Sequence, residues 1–108
     1  MRHELALPAC CPISKNPRPG SHIAICYRAK EEVLEVGSLT AYIWRYVGGL
    51  RGDDNELVVR TMEGMITRIA VDCAAVLGVP VKVTACLLVL PRQQMNMIAR
   101  GYPESERQ

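Results

Sequence analysis

The chain lacks most of the features that announce a function outright. No apolar run is long enough to span a bilayer, which excludes a transmembrane helix by the usual length criterion. The start, Met1-Arg2-His3-Glu4, carries no secretory signal, because Leu5-Ala6-Leu7 is too short an apolar piece and Pro8 follows it. No Cys-x-x-Cys occurs, and the two histidines, His3 and His22, are far apart in sequence, so no metal site is expected. The five cysteines are an odd number in a chain without a signal, which points to reduced thiols in the cytoplasm and not to a disulfide frame. A net charge of +2 is too small to announce nucleic acid or an acidic membrane. Repeats and low-complexity segments are absent as well. What remains is an ordinary globular composition, 49 % hydrophobic and 22 % charged over 108 residues, the size of one domain. A domain this small buries only about two thirds of its unfolded surface, which makes self-association attractive.

Patterning gives the order of elements. Residues 1–10 read as an irregular arm. Ile23, Ile25 and Tyr27 alternate with less apolar neighbours, the period of a half-buried strand over residues 21–28. Ala29-Lys30-Glu31 is a polar turn, and Val33 to Val36 reads as a second strand closing a hairpin. Ser38 is a candidate N-cap for a short helix carrying Leu39, Ile43 and Tyr46, which Gly48-Gly49 ends. Asp53 or Asp54 is placed to cap a second helix, with Glu56 in its first turn. Val58, Met62, Met65, Ile69, Cys73 and Val76 form its apolar stripe, whose methionines read as core packing, and Gly78 closes it. Pro80 opens a strand over Val81–Leu90 that is apolar on both faces in its second half, so both faces need cover. Met95 to Arg100 is a last strand, followed by a polar tail, residues 103–108, expected to fray. The order ββααββ, with helices grouped between hairpins, defines an α+β layer over residues 11–102 and excludes a doubly wound sheet.

The most informative stretch is Cys11-Pro12-Ile13-Ser14-Lys15-Asn16-Pro17. Pro12, Pro17, Pro19 and Gly20 hold it out of regular structure. A thiol on a proline-stiffened loop entering a strand suits a nucleophile, although free cysteine is also among the most buried residue types. This motif, followed by Glu35-Val36-Gly37-Ser38-Leu39-x-x-Tyr42, by Asn55-Glu56, by Val83-Thr84 and by Pro91-Arg92, resembles the 7-cyano-7-deazaguanine reductase (QueF) family and its short QueF-like amidinotransferase relatives. The resemblance covers roughly residues 10–100, and the order and spacing of its short motifs carry it. It implies a tunnelling (T-) fold: a four-stranded antiparallel sheet backed by two helices, assembled into homo-oligomeric rings with active sites between subunits.

The resemblance also implies roles. Cys11 falls on the nucleophile that adds to a nitrile carbon to give a thioimide, chemistry suited to a thiolate near neutral pH. Glu56 falls on the carboxylate that anchors the purine-like base, beside Asn55, where reductases carry histidine; a first-turn dipole role explains Glu56 equally well. Leu34, Glu35 and Val36 fall on the substrate-contacting segment. The departures bear on the reaction. Arg18 stands where the family has its proton-donating aspartate, and arginine does not give up its proton readily. Gly37 and Thr40 replace two lysines associated with the nicotinamide cofactor, and Gln93-Gln94 replaces a glycine pair. The expectation is therefore a non-reductive enzyme acting through Cys11 and Arg18 on a 7-substituted 7-deazaguanine, free or within a nucleic acid, with no cofactor. The alternatives are an NADPH-dependent reductase with a divergent cofactor site, a decarboxylase of 7-carboxy-7-deazaguanine whose Arg18 holds the carboxylate, and a non-catalytic T-fold binding subunit. The adjacent Cys10 is expected to point elsewhere and to be dispensable.

Overall fold

A computed structural model describes residues 1–10, 16–47, 50–51, 57–59, 61–89 and 93–104. Strands β1 (Arg2–Ala6) and β2 (His22–Tyr27) precede helix α1 (Val36–Trp44). A short pair follows, β3 (Leu50–Arg51) and β4 (Leu57–Val59), and then helix α2 (Met62–Leu77) and strands β5 (Val81–Val89) and β6 (Gln93–Gly101). The four long strands form one antiparallel sheet in the order β1-β2-β5-β6. Together with the two helices they give the expected α+β order ββααββ, a T-fold-like arrangement, with the small β3–β4 ladder inserted between the helices.

Alternation decides which face of the sheet is buried. Ile23, Ile25 and Tyr27 of β2 and Val81, Val83, Ala85 and Leu87 of β5 all point to one side and are buried there. The helices supply Leu39 and Ile43 from α1, and Met65, Ile66, Ile69, Ala70, Cys73 and Ala74 from α2. The buried stripe of α2 is thus rotated from the one expected: Val76 is exposed, and Ile66, Ala70 and Ala74 take the core positions. Burial in this stripe pushes the Cys73 thiol up to about 11, with help from the nearby Asp72 carboxylate. The helices are also joined by a polar fastener. The Tyr42 hydroxyl donates to Asp72 Oδ2 at 2.6 Å and lies 2.7 Å from the Tyr46 hydroxyl, while Arg68 Nε donates to the same carboxylate at 3.0 Å. Burial, then the bond to Asp72, holds the Tyr42 phenol well above its ordinary value, so it stays a donor.

Several boundaries differ from the sequence reading. Residues 2–6, read as part of an irregular arm, form β1, which pairs with β2 from Arg2 opposite Cys26 to Ala6 opposite His22. Its charged residues disguise an edge strand, a place where charge is favoured because it discourages pairing with other chains. Val33–Val36 is not a strand; with β1 on one edge of β2 and β5 on the other, β2 has no edge left to pair. α2 starts at Met62, with Thr61 as N-cap accepting from the Gly64 amide at 2.9 Å, and not near Asp53 or Asp54. Consecutive β-branched Val58 and Val59 lie in β4 instead. Glu63, not Glu56, is the acidic residue in the first turn of α2. Gly78 closes the helix as expected, in the left-handed conformation at φ 69°. Gly48-Gly49 and residues 105–108 lie outside the described residues, and Pro103, assigned to the fraying tail, is buried.

The second face of β5 needs less cover than its sequence suggests. Lys82 is exposed, and Thr84, Cys86 and Leu88 are half-buried. Leu88 lies under the chain's own loop: a Cβ placed on Gly20 would stand 2.9 Å from Leu88 Cδ1. Gly20 also has φ 96°, so its backbone favours glycine, and a Cβ there would push the Leu88 side chain aside. The tightest approach in the fold is at Gly101, where a Cβ would overlap the Ala70 carbonyl and stand 2.7 Å from the Val71 amide nitrogen. Helix α2 therefore rests directly on the backbone of β6. Gly101→Ala should cost at least about 3 kcal/mol in urea unfolding, because backbone has to move away from backbone. Gly78→Ala, where a Cβ meets open space, should cost only the left-handed strain of about 1–2 kcal/mol. Equal losses at the two sites would contradict direct helix-on-strand contact at Gly101.

Candidate functional site

The loop that enters β2 is fastened at several points. The Cys10 amide donates to the Asn16 carbonyl at 2.9 Å, which holds these two residues together. The Arg18 amide donates to the Leu88 carbonyl at 2.8 Å, and the Arg18 carbonyl accepts from the Ser21 amide at 3.1 Å. Ser21 is buried; its Oγ accepts from the Leu88 amide at 2.8 Å, and its carbonyl accepts from Leu7 at 3.0 Å. Pro17 and Pro19 have no amide hydrogen and so add no backbone donor that needs a partner here. Arg18 is thus fixed at the end of β5, partly buried, with its Nε shielded from solvent.

Cys11, the expected nucleophile, and Asn55 and Glu56, the expected base anchors, lie outside the described residues. The neighbouring thiol is described. Cys10 Sγ sits 3.8 Å from Met65 Sδ and 3.5 Å from the Pro8 carbonyl, packed against the core, and burial pushes its pKa up. That is the opposite of an activated thiol, so Cys10 serves packing.

The 34–36 segment is held at the far end of β2. The Leu34 amide donates to the Tyr27 hydroxyl at 2.9 Å, and His3 Nε2 lies 2.9 Å from the same oxygen, its ring stacked on Tyr27 with centroids 5.6 Å apart. Glu35 is the N-cap of α1, in the place expected for Ser38. One carboxylate oxygen accepts from the Gly37 amide at 2.9 Å, and the other accepts from both the Ser38 amide and the Ser38 hydroxyl at 2.7 Å. These bonds, the Ser38 hydroxyl's first, hold the carboxyl below its usual range. The carboxylate is therefore engaged with its own helix. Val36, on the first turn, is 68 % exposed and open to contact.

Leu34, Glu35 and Val36 are thus brought together, while Arg18 is anchored apart from them. Its anchors, Leu88 and Ser21, lie beside the start of β2, and Tyr27, which holds Leu34, is the last residue of that strand. A six-residue strand separates those ends by about 17 Å. The residues that position these segments, Ser21 and Tyr27, were not singled out by the sequence reading. Ser21 beside a turn glycine is a detectable signal, whereas the reach of Tyr27 to a loop amide is a tertiary event with none. Among the described residues no group of three His, Cys, Asp or Glu side chains is placed to hold a metal ion, and no helix is long and apolar enough to cross a membrane.

Comparison with known proteins finds no match: no family model, no curated protein and no solved structure matches this chain.

The capping role of Glu35 has a pH signature. A carboxyl whose folded value is depressed contributes stability above its unfolded value, about 4.3, and loses it as pH falls through the lower folded value. Thermal unfolding of the wild type and Glu35→Gln should therefore differ most at neutral pH and converge in acid. A difference that does not change between neutral and strongly acidic pH would show that the charge of Glu35 plays no part in capping.

Proposed function

We propose that this chain is a QueF-like enzyme of 7-deazaguanine modification that acts non-reductively on a 7-substituted 7-deazaguanine through Cys11. The observation that carries the reading is the loop that follows the nucleophile motif: it is pinned by Leu88 and Ser21, which fixes the backbone of Arg18, the residue that by the sequence resemblance stands in the place of the general acid. The order of motifs along the chain and the ββααββ fold support the same reading. In this mechanism the Cys11 thiolate adds to the nitrile carbon. A carbon–sulfur bond forms, one carbon–nitrogen π bond breaks, and the nitrogen takes a proton from water while Arg18 stabilises its developing charge. Ammonia then adds to the thioimide carbon and expels the thiolate, leaving an amidine; no hydride and no NADPH are needed. Glu56 holds the base through its N–H and amino donors, with Asn55 beside it.

The site is completed by a second copy of the chain. Arg18 and the 34–36 segment are fastened to opposite ends of β2, and the face of the sheet away from the helices is uncovered by them. Both observations support a ring-forming homo-oligomer in which one chain supplies Arg18, with Cys11 earlier on the same loop, and its neighbour supplies the 34–36 segment. The decarboxylase reading rests on Arg18 as well, since a guanidinium holds a carboxylate as readily as it stabilises an anion.

Intact-mass spectrometry after incubation with 7-cyano-7-deazaguanine tests the reading. The expected result is one covalent adduct per chain, present in Cys10→Ala and absent in Cys11→Ala, with no loss of NADPH absorbance when that cofactor is supplied. An adduct that survives Cys11→Ala would remove covalent catalysis from the account. Tight binding of 7-carboxy-7-deazaguanine that Arg18→Asp destroys, with no nitrile adduct, would select decarboxylation.

A further inference from the structure

The strand register lines up four side chains across the uncovered face of the sheet. Arg2 is opposite Cys26, Cys26 is opposite Lys82, and Lys82 is opposite Arg100. Three of the four are cations. A cavity of about 240 Å³ opens at this row, lined by Cys26, Pro80, Val81, Lys82, Arg100 and Tyr102. Arg2 stands next to the lining: its Nη1 donates to Cys26 Sγ at 3.4 Å, while its Nε is taken by Glu4 at 3.0 Å. Among the described residues no carboxylate pairs with Lys82 or Arg100. Like charges directly opposite each other on neighbouring strands are destabilising. Here the two cations line one recess, an arrangement that an anion relieves.

We propose that this end of the open sheet face binds the dianion of a phosphate monoester, held between Lys82 and Arg100, with Arg2 next to the lining and the Cys26 thiol against the ligand. Two cations match a dianion better than a single carboxylate, and the guanidinium fork of Arg100 offers two parallel donors to phosphoryl oxygens. The volume is just under the roughly 300–1,000 Å³ of pockets for drug-sized ligands, so the ester is small. Pro80 and Tyr102 provide apolar wall for its organic part. The row lies at the end of β2 away from the Arg18 loop and on the opposite face from Tyr27, which holds Leu34, and its test does not use the reaction proposed for Cys11.

Cys26 reports occupancy. Alkylation by iodoacetamide, mapped by peptide mass spectrometry, is followed at constant ionic strength with chloride, inorganic phosphate or glycerol 3-phosphate. Cys86, half-buried at the other end of the same face, is the internal reference. Phosphate and glycerol 3-phosphate should slow Cys26 several-fold, chloride should not, Cys86 should be unaffected, and the double variant Lys82→Ala/Arg100→Ala should lose the protection. Calorimetric titration of wild type and double variant with glycerol 3-phosphate reads the same site without the thiol: heat of binding in the first and none in the second. Unchanged Cys26 alkylation together with no binding heat would overturn the proposal, as would equal slowing of Cys86 or of the double variant. Protection by a single-stranded oligonucleotide at lower phosphate concentration than by glycerol 3-phosphate would overturn the monoester assignment in favour of a polymer backbone.

Discussion

β2 lies antiparallel on β5 with Ile23 against Ala85 and Ile25 against Val83, and the rest of the molecule is arranged around that register. Because side chains alternate with period two, this pairing puts every large apolar residue of both strands except Leu88 on the helix side. A slip of one residue would invert one strand against the other, turning Cys26 into the core and Ile25 out to solvent, or Lys82 in and Val83 out. The same register that gathers the core also gathers what the core rejects. Arg2, Lys82 and Arg100 come into line on the other face because they occupy partner positions on strands whose inner positions are fixed by burial. A basic row in a chain of net charge +2 is thus produced by pairing and not by composition.

The segments that carry the candidate chemistry leave this frame at its ends, and each is held there by a polar group with several bonds. Ser21 bonds to both Leu88 and Leu7, Tyr27 takes Leu34, and Glu35 takes three donors of the first turn of α1. Such fasteners restrict loops that have few apolar contacts of their own. A net worth of about 0.5–1.5 kcal/mol per bond is modest for stability but enough to select one loop geometry among several. Prolines 17 and 19 add to this by narrowing the backbone choices before folding.

The fold was legible in the sequence where burial enforces a period and illegible where it does not. β2, β5, the body of α2 and its stop at Gly78 follow from apolar spacing and a glycine with positive φ. β1 was missed because an edge strand with Arg2, His3 and Glu4 has a polar composition, and its inward residues His3 and Leu5 are only half-buried. The start of α2 was placed too early because Asp53, Asp54 and Glu56 make a convincing cap signal, while Thr61 with Glu63 makes another nearer the helix. Of the candidate site, the loop before β2 was recognisable from its prolines, and Arg18 stood out as a departure from the family motif. The engagement of Glu35 as a cap was not, since Ser38 has the commoner capping side chain and the structure uses it as a donor to Glu35 instead.

The central claim is that the reactive loop of one chain meets the substrate-contacting residues of another. The Arg18 loop and the 34–36 segment are fastened at opposite ends of β2, and the proposed site is one that two chains would share. Subunit mixing tests this directly. Glu56→Gln chains, which keep Cys11, are refolded together with an equal amount of Cys11→Ala chains, which keep Glu56, and the adduct with 7-cyano-7-deazaguanine at limiting concentration is read by mass on the Glu56→Gln chain. If the site is shared, about half of the Cys11 residues in the mixture face a native Glu56 from a neighbour, and the yield rises above that of Glu56→Gln alone. A yield that mixing leaves unchanged would place both residues in one chain and contradict the account.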